Sequence, residues 1–173
     1  NTLIANAIQR AYNTGRKLIF VASGTAPFLI SGSGSFVGAD DIVFPANMGS
    51  ATIAVSGIAT DYLRCEQCVV GNQTDFVVVM EKVLAGTAEL KVHPLGTANS
   101  SSTTPNNIGG SSVATATMAG MAALVWSKFP NESAINIFFR LQKAADKYRA
   151  GISKPNPYGW GTVDVSKALT QPL

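Results

Sequence analysis

No charge and no proline interrupt the run from Val113 to Ser127, and this stretch constrains the fold more than any other. It follows Gly109-Gly110-Ser111-Ser112 directly and continues as Val113-Ala114-Thr115-Ala116-Thr117-Met118-Ala119-Gly120-Met121-Ala122-Ala123-Leu124-Val125-Trp126. It has the length of an ordinary core helix and is too short, and too interrupted by Gly and hydroxyl residues, to read as a membrane span. A helix apolar on every side is expected to be buried on every side. Ser112 then stands where a glycine loop enters the first turn of that helix. Several N–H groups lack partners there, and the helix dipole favours negative charge. The place suits a nucleophile, because the oxyanion it creates lies near free N–H donors. The same pattern of Gly, Ser and Thr is equally that of a helix N-cap.

The rest of the chain sets the context. Its 173 residues suffice for one domain with a core, and 46% hydrophobic against 13% charged residues suits a robust secreted domain. The net charge of +3 is spread along helices without aromatic interleaving, which speaks against a nucleic-acid partner. Nothing reads as a signal peptide, and no membrane partner is expected. The first residue is Asn1 rather than Met, as in a mature product, a cleavage fragment or a trimmed form.

Thr2 to Thr14 reads as an amphipathic helix with Leu3, Ile4, Ala7, Ile8, Ala11 and Tyr12 on one stripe, ended by Gly15. Leu18 to Ser23 is a continuous apolar run, the pattern of a strand covered on both faces. Helix, glycine and buried strand make one step of a parallel α/β sheet. Ala51 to Gly57 and Thr74 to Met80 read as further strands, and Ala88 to Leu95, which carries His93, as another. Ser133 is placed to cap a helix running through Tyr148, with Ala134, Ile137, Phe138, Leu141, Ala144 and Ala145 inward and Arg140, Lys143 and Lys147 on a solvated face. The Asp40-Asp41 pair fits either a Ca²⁺ ligand pair or a solvated loop, the latter being the commoner. Otherwise no cofactor is expected. Cys65-Glu66-Gln67-Cys68 has too few companions for zinc and lacks the setting of a redox motif, which leaves a local disulfide or two plain thiols.

Gly110-Ser111-Ser112-Val113-Ala114-Thr115 resembles the Gly-Thr-Ser-x-Ala-Thr/Ser signature of the subtilisin-like serine peptidases. Met118 to Leu124 is similar to that family's small-residue helix, with Ala116-Thr117 in place of its usual Pro-His. Ala22-Ser23-Gly24-Thr25 resembles its Ala-Ala-Gly-Asn turn, and Phe44-Pro45-Ala46-Asn47 followed by Ala51-Thr52-Ile53-Ala54-Val55-Ser56-Gly57 resembles its Tyr-Pro-Ala element and the Ile-Ala-Val-Gly strand after it. Asp75-Phe76 and the ending Pro157 to Leu169 follow in the family's order. The resemblance implies an α/β three-layer sandwich with a mostly parallel sheet, of which this chain is the C-terminal part. It implies Ser112 as nucleophile, Ser112 N–H and Thr25 at the oxyanion hole, and Ala22, Ser23 and Gly24 lining the pocket for the residue before the cut.

In that family the Asp and His of the triad precede the Ser. Neither has a match here, and His93 in Val92-His93-Pro94 lacks the setting of a triad base. The resemblance therefore implies a peptide substrate and, as a partner, an N-terminal part of the same protein that carries Asp and His. Alone, the chain is expected to be inactive. The alternative is a catalytically dead relative kept for binding or scaffolding. An α/β-hydrolase esterase is excluded by order, since its His follows its Ser and no His follows Ser112.

Overall fold

A computed structural model of the chain describes residues 1–24, 42–59, 68–81, 110–147 and 157–173. Three strands, β1 (Phe20–Ala22), β2 (Ile53–Ala59) and β3 (Phe76–Glu81), form a parallel sheet in the order β1-β2-β3. Phe20 pairs with Ile53 and Ala22 with Val55, and Val55 pairs in turn with Phe76. Flanking helices complete the expected α/β three-layer arrangement: α1 (Thr2–Asn13), α2 (Gly110–Lys128), α3 (Ala134–Lys143) and α4 (Val165–Thr170).

Side chains alternate across a strand, so β2 serves two cores. Ile53 and Val55 face α2, α3 and α4, joining Phe76, Met118, Val125, Ile137 and Leu141. Ala54, on the opposite face, packs with Ile42, Ala46 and Val69. Every side chain from Ile53 to Ile58 is buried, as an unbroken apolar run requires. The side chains of β1 are only half-buried. Among the described residues it is, like β3, an outer strand with β2 as its only neighbour.

Helix α2 crosses all three strands. It buries Ser111, Ala114, Met118, Ala122 and Val125, spaced three and four apart on one face. The expectation of burial all round is not met. Ala116, Gly120, Ala123 and Leu124 are exposed, Leu124 by 53%. Val113, Ala116, Thr117, Gly120, Met121 and Leu124 line an open apolar groove along this bare side. Uniform apolarity cannot say which face a neighbour covers, and no described element lies against this one. Helix α1 is similar: none of its residues is buried, and Leu3 is 86% exposed.

Two expectations for α3 need correction. The Ser133 cap is present, its side chain accepting the Asn136 N–H at 3.3 Å. The helix stops at Lys143, however, because the chain beyond it pairs elsewhere. Ala145 bridges Val163, and Asp146 and Lys147 donate N–H groups to Thr162 and Trp160. Tyr148 lies outside the described residues. Arg140 is not on a solvated face. It is 9% exposed, forms a bidentate pair with Glu132 at 2.8 and 2.6 Å, and donates to the Gln171 carbonyl at 2.7 Å. The guanidinium carbon stands 3.7 Å from the Phe129 ring centre. The Arg140 hydrogen bonds hold the Glu132 carboxyl below its ordinary pKa, and the same bonds raise that of Arg140.

The closing turn is locked to β3. Trp160 donates its N–H to the Asp75 carbonyl at 2.8 Å. The neighbouring Gly159 has φ +59°, and a Cβ there would lie 2.4 Å from the Thr74 and Asp75 carbonyl oxygens. Only glycine fits so close an approach.

Candidate active site

The glycine before the serines does what the sequence suggests. Gly110 has φ +84° and opens α2, which places Ser111 and Ser112 in the first turn, side by side in sequence but turned differently. Ser111 is 1% exposed, whereas Ser112 is exposed. The Ser112 hydroxyl has no hydrogen-bond partner among the described residues. Ser112 sits in the first turn of a 19-residue helix, so the N–H groups of that turn and the dipole both face this end. Ala116-Thr117 does not disturb the helix. Thr115 and Thr117 return their hydroxyls to the Ser111 and Val113 carbonyls at 2.6 and 2.9 Å, which satisfies them inside an apolar helix.

A hydrogen bond from Ser111 Oγ to the Gly24 carbonyl, 2.8 Å long, joins this first turn to the end of β1. It spans half of the chain in sequence and brings two of the expected site segments together. Ala22 and Gly24 are half-buried. Gly24 adopts φ +125°, a conformation that favours glycine. Ser23 is fully buried and its polar groups are all engaged. Its hydroxyl donates to the Val69 carbonyl at 2.6 Å, its N–H to Val55, and its carbonyl accepts from Val43. Thr25, the Asp40-Asp41 pair, Cys65 and His93 lie outside the described residues. Cys68 is fully buried and disulfide-bonded.

Sequence reasoning did not single out Ser56 or Val69. Ser56 Oγ donates to the same Val69 carbonyl at 2.5 Å, from the middle of β2. The available signal was a hydroxyl inside an otherwise apolar, both-faces-buried run, which has to find a partner.

The profile of the subtilase family of peptidases matches residues 1–161. The chain belongs to the subtilase family. No curated protein matches it. Among solved structures it is similar to MycP1 from Mycobacterium smegmatis, with 22% identity and a TM-score of 0.68, covering 96% of this chain and 45% of that one. MycP1 with its N-terminal propeptide removed gives 22% and 0.71, covering 99% and 56%. A lanthipeptide protease gives 19% and 0.66, covering 97% and 55%. The subtilase chain thus spans about half the length of the structures it resembles. Among the described residues no helix is long and apolar enough to cross a membrane.

Proposed function

We propose that this subtilase chain supplies the nucleophilic half of a serine endopeptidase, with Ser112 attacking the scissile carbonyl. The observation that carries the reading is the Ser111–Gly24 bond, which sets an exposed serine, without a hydroxyl partner among the described residues, at a helix start beside the end of β1. The general base and its orienting carboxylate come from an N-terminal part of the same protein. That base takes the Ser112 proton as Oγ bonds to the carbonyl carbon. It returns the proton to the amine when the C–N bond breaks, and water then releases the acyl group by the reverse proton path. The N–H of Ser112 and the side chain of Thr25 face the oxyanion. Ala22 and Gly24 line the pocket for the residue before the cut, and Ser23 supports them from behind.

The site of action is extracytoplasmic. The disulfide at Cys68 supports this, since disulfides persist in oxidising compartments. So does similarity to a chain of the periplasmic assembly of the ESX-5 inner membrane complex, at 22% identity and a TM-score of 0.65, covering 96% of this chain and 43% of that one. A catalytically dead relative is the competing reading, favoured by Thr25 in the place of the family's Asn.

The test is turnover of a peptide substrate by the full-length protein, by its Ser112→Ala variant and by the 173-residue chain alone. The reading expects turnover only in the first. Equal turnover by the Ser112→Ala variant would refute it.

A further inference from the structure

Three serine hydroxyls are buried behind the end of β1, and none of them takes part in the bond-making and proton-transfer steps of the proposed reaction. Ser23 Oγ and Ser56 Oγ both donate to the Val69 carbonyl, at 2.6 and 2.5 Å. The Val69 N–H donates to the Gly24 carbonyl at 3.3 Å, and that oxygen also receives Ser111 Oγ at 2.8 Å. Val69 is thus gripped at its carbonyl by two strands and bonded at its amide to the oxygen that the nucleophile helix holds. Ser23 and Ser56 are both fully buried.

One partner is enough to spare a buried carbonyl most of the cost of desolvation. Here there are two, and each comes from a position where a smaller apolar residue would need no partner at all. The turn motif that this chain resembles carries Ala where Ser23 stands. Either hydroxyl alone would have to be satisfied; together they converge on one acceptor. Gly24 is the residue in need of such support. At φ +125° it has no Cβ packing to hold its peptide plane, so hydrogen bonds must do so.

We propose that Ser23 and Ser56, acting through Val69, are positioning residues that hold the Gly24 carbonyl against Ser111 and so keep the end of β1 in register with Ser112. The proposal rests on Ser112 being the nucleophile. Removing both hydroxyls frees the Val69 carbonyl to seek another donor, and its N–H carries the Gly24 oxygen with it. The pocket wall and the nucleophile then shift relative to each other, while the groups that touch substrate stay chemically unchanged. A misplacement of about 1 Å costs on the order of 10²-fold in rate, and the smaller shift expected here costs about tenfold.

The experiment uses the full-length protein and a peptide ester, with Ser112 titrated by a serine-directed phosphonate so that rates refer to competent sites. Ser23→Ala/Ser56→Ala is expected to lower kcat about tenfold, with KM within about twofold and full labelling retained, the signature of lost transition-state alignment. Ser56→Ala alone, the milder change and remote from Gly24, is expected to lower kcat about threefold in the same way, so the test survives a double variant that does not fold. An unchanged kcat per labelled site would overturn the proposal, and so would a loss of rate fully accounted for by loss of labelling. Wild-type protein that neither turns over nor labels would overturn the reading of Ser112 itself, and this inference with it.

Discussion

Arg140→Ala should be among the most destabilising single changes in the C-terminal third of the chain. The side chain ties three segments together: Glu132 before α3 through two bonds, the Gln171 carbonyl after α4, and the Phe129 ring at the end of α2. Truncation removes all of these and leaves Glu132 facing an apolar surface. Removing one partner of a buried ion pair costs about 3–5 kcal/mol. The Glu132 side chain is 21% exposed and regains some water, which places the expected loss at the lower end, about 3 kcal/mol. The bonds belong to one cluster and their separate values do not add. Arg140→Lys keeps the charge but loses the planar fork, and should cost roughly 1–2 kcal/mol. The assay is denaturant unfolding of the full-length protein, read as a shift in midpoint at constant slope. A loss under about 0.5 kcal/mol for Arg140→Ala, the ordinary range for surface changes, would refute the reasoning.

The same pair makes stability pH-dependent. The folded pKa of Glu132 is depressed, so its contribution is complete above the ordinary carboxylate value and is lost as pH falls through the lower folded value. Glu132→Gln should flatten the stability profile on that acid limb, and an unchanged limb would contradict the pairing. Thr25→Asn in the full-length protein should raise kcat with KM nearly constant if Thr25 donates poorly to the oxyanion, by up to about 10²-fold; an unchanged kcat for both Thr25→Asn and Thr25→Val would remove Thr25 from that role. The chain on its own presents the α2 groove and, among the described residues, the sheet edge at β1, and exposed apolar patches and strand edges associate. Sedimentation should find it self-associated, and Leu124→Glu should weaken that association; a monodisperse wild-type monomer would contradict this.

What was legible in the sequence follows the strength of local signals. The strand reading of Ala51 to Gly57 holds, with every side chain from Ile53 to Ile58 buried, whereas β1, from the run read as covered on both faces, is only half-buried, because an apolar run does not say how many neighbours the strand will have. The Ser133 cap holds because a cap is set by a residue and its next few neighbours. Longer-range choices were not legible. Arg140 sits at the position of a solvated cation in the helical pattern, and only the tertiary meeting of Glu132, Phe129 and Gln171 turns it inward. The end of α3 was misplaced for the same reason: residues 145–147 have adequate helix propensity, and pairing with residues 160–163 outcompetes it. At the site, the glycine-to-helix entry located Ser112, but nothing in a linear pattern links Ser23 and Ser56 to one carbonyl. The bare face of α2 could not be foreseen from a helix apolar all round, since such a pattern marks no side as outer.

Phosphonate labelling of the full-length protein, followed by peptide mass mapping, tests the nucleophile most directly. The account predicts one adduct per chain, carried by the peptide that contains Ser112. It also predicts that Ser112→Ala abolishes the adduct while Ser111→Ala, which removes the bond to Gly24, slows labelling without moving its site. An adduct on another serine, or none under conditions where the protein cleaves peptides, would contradict it.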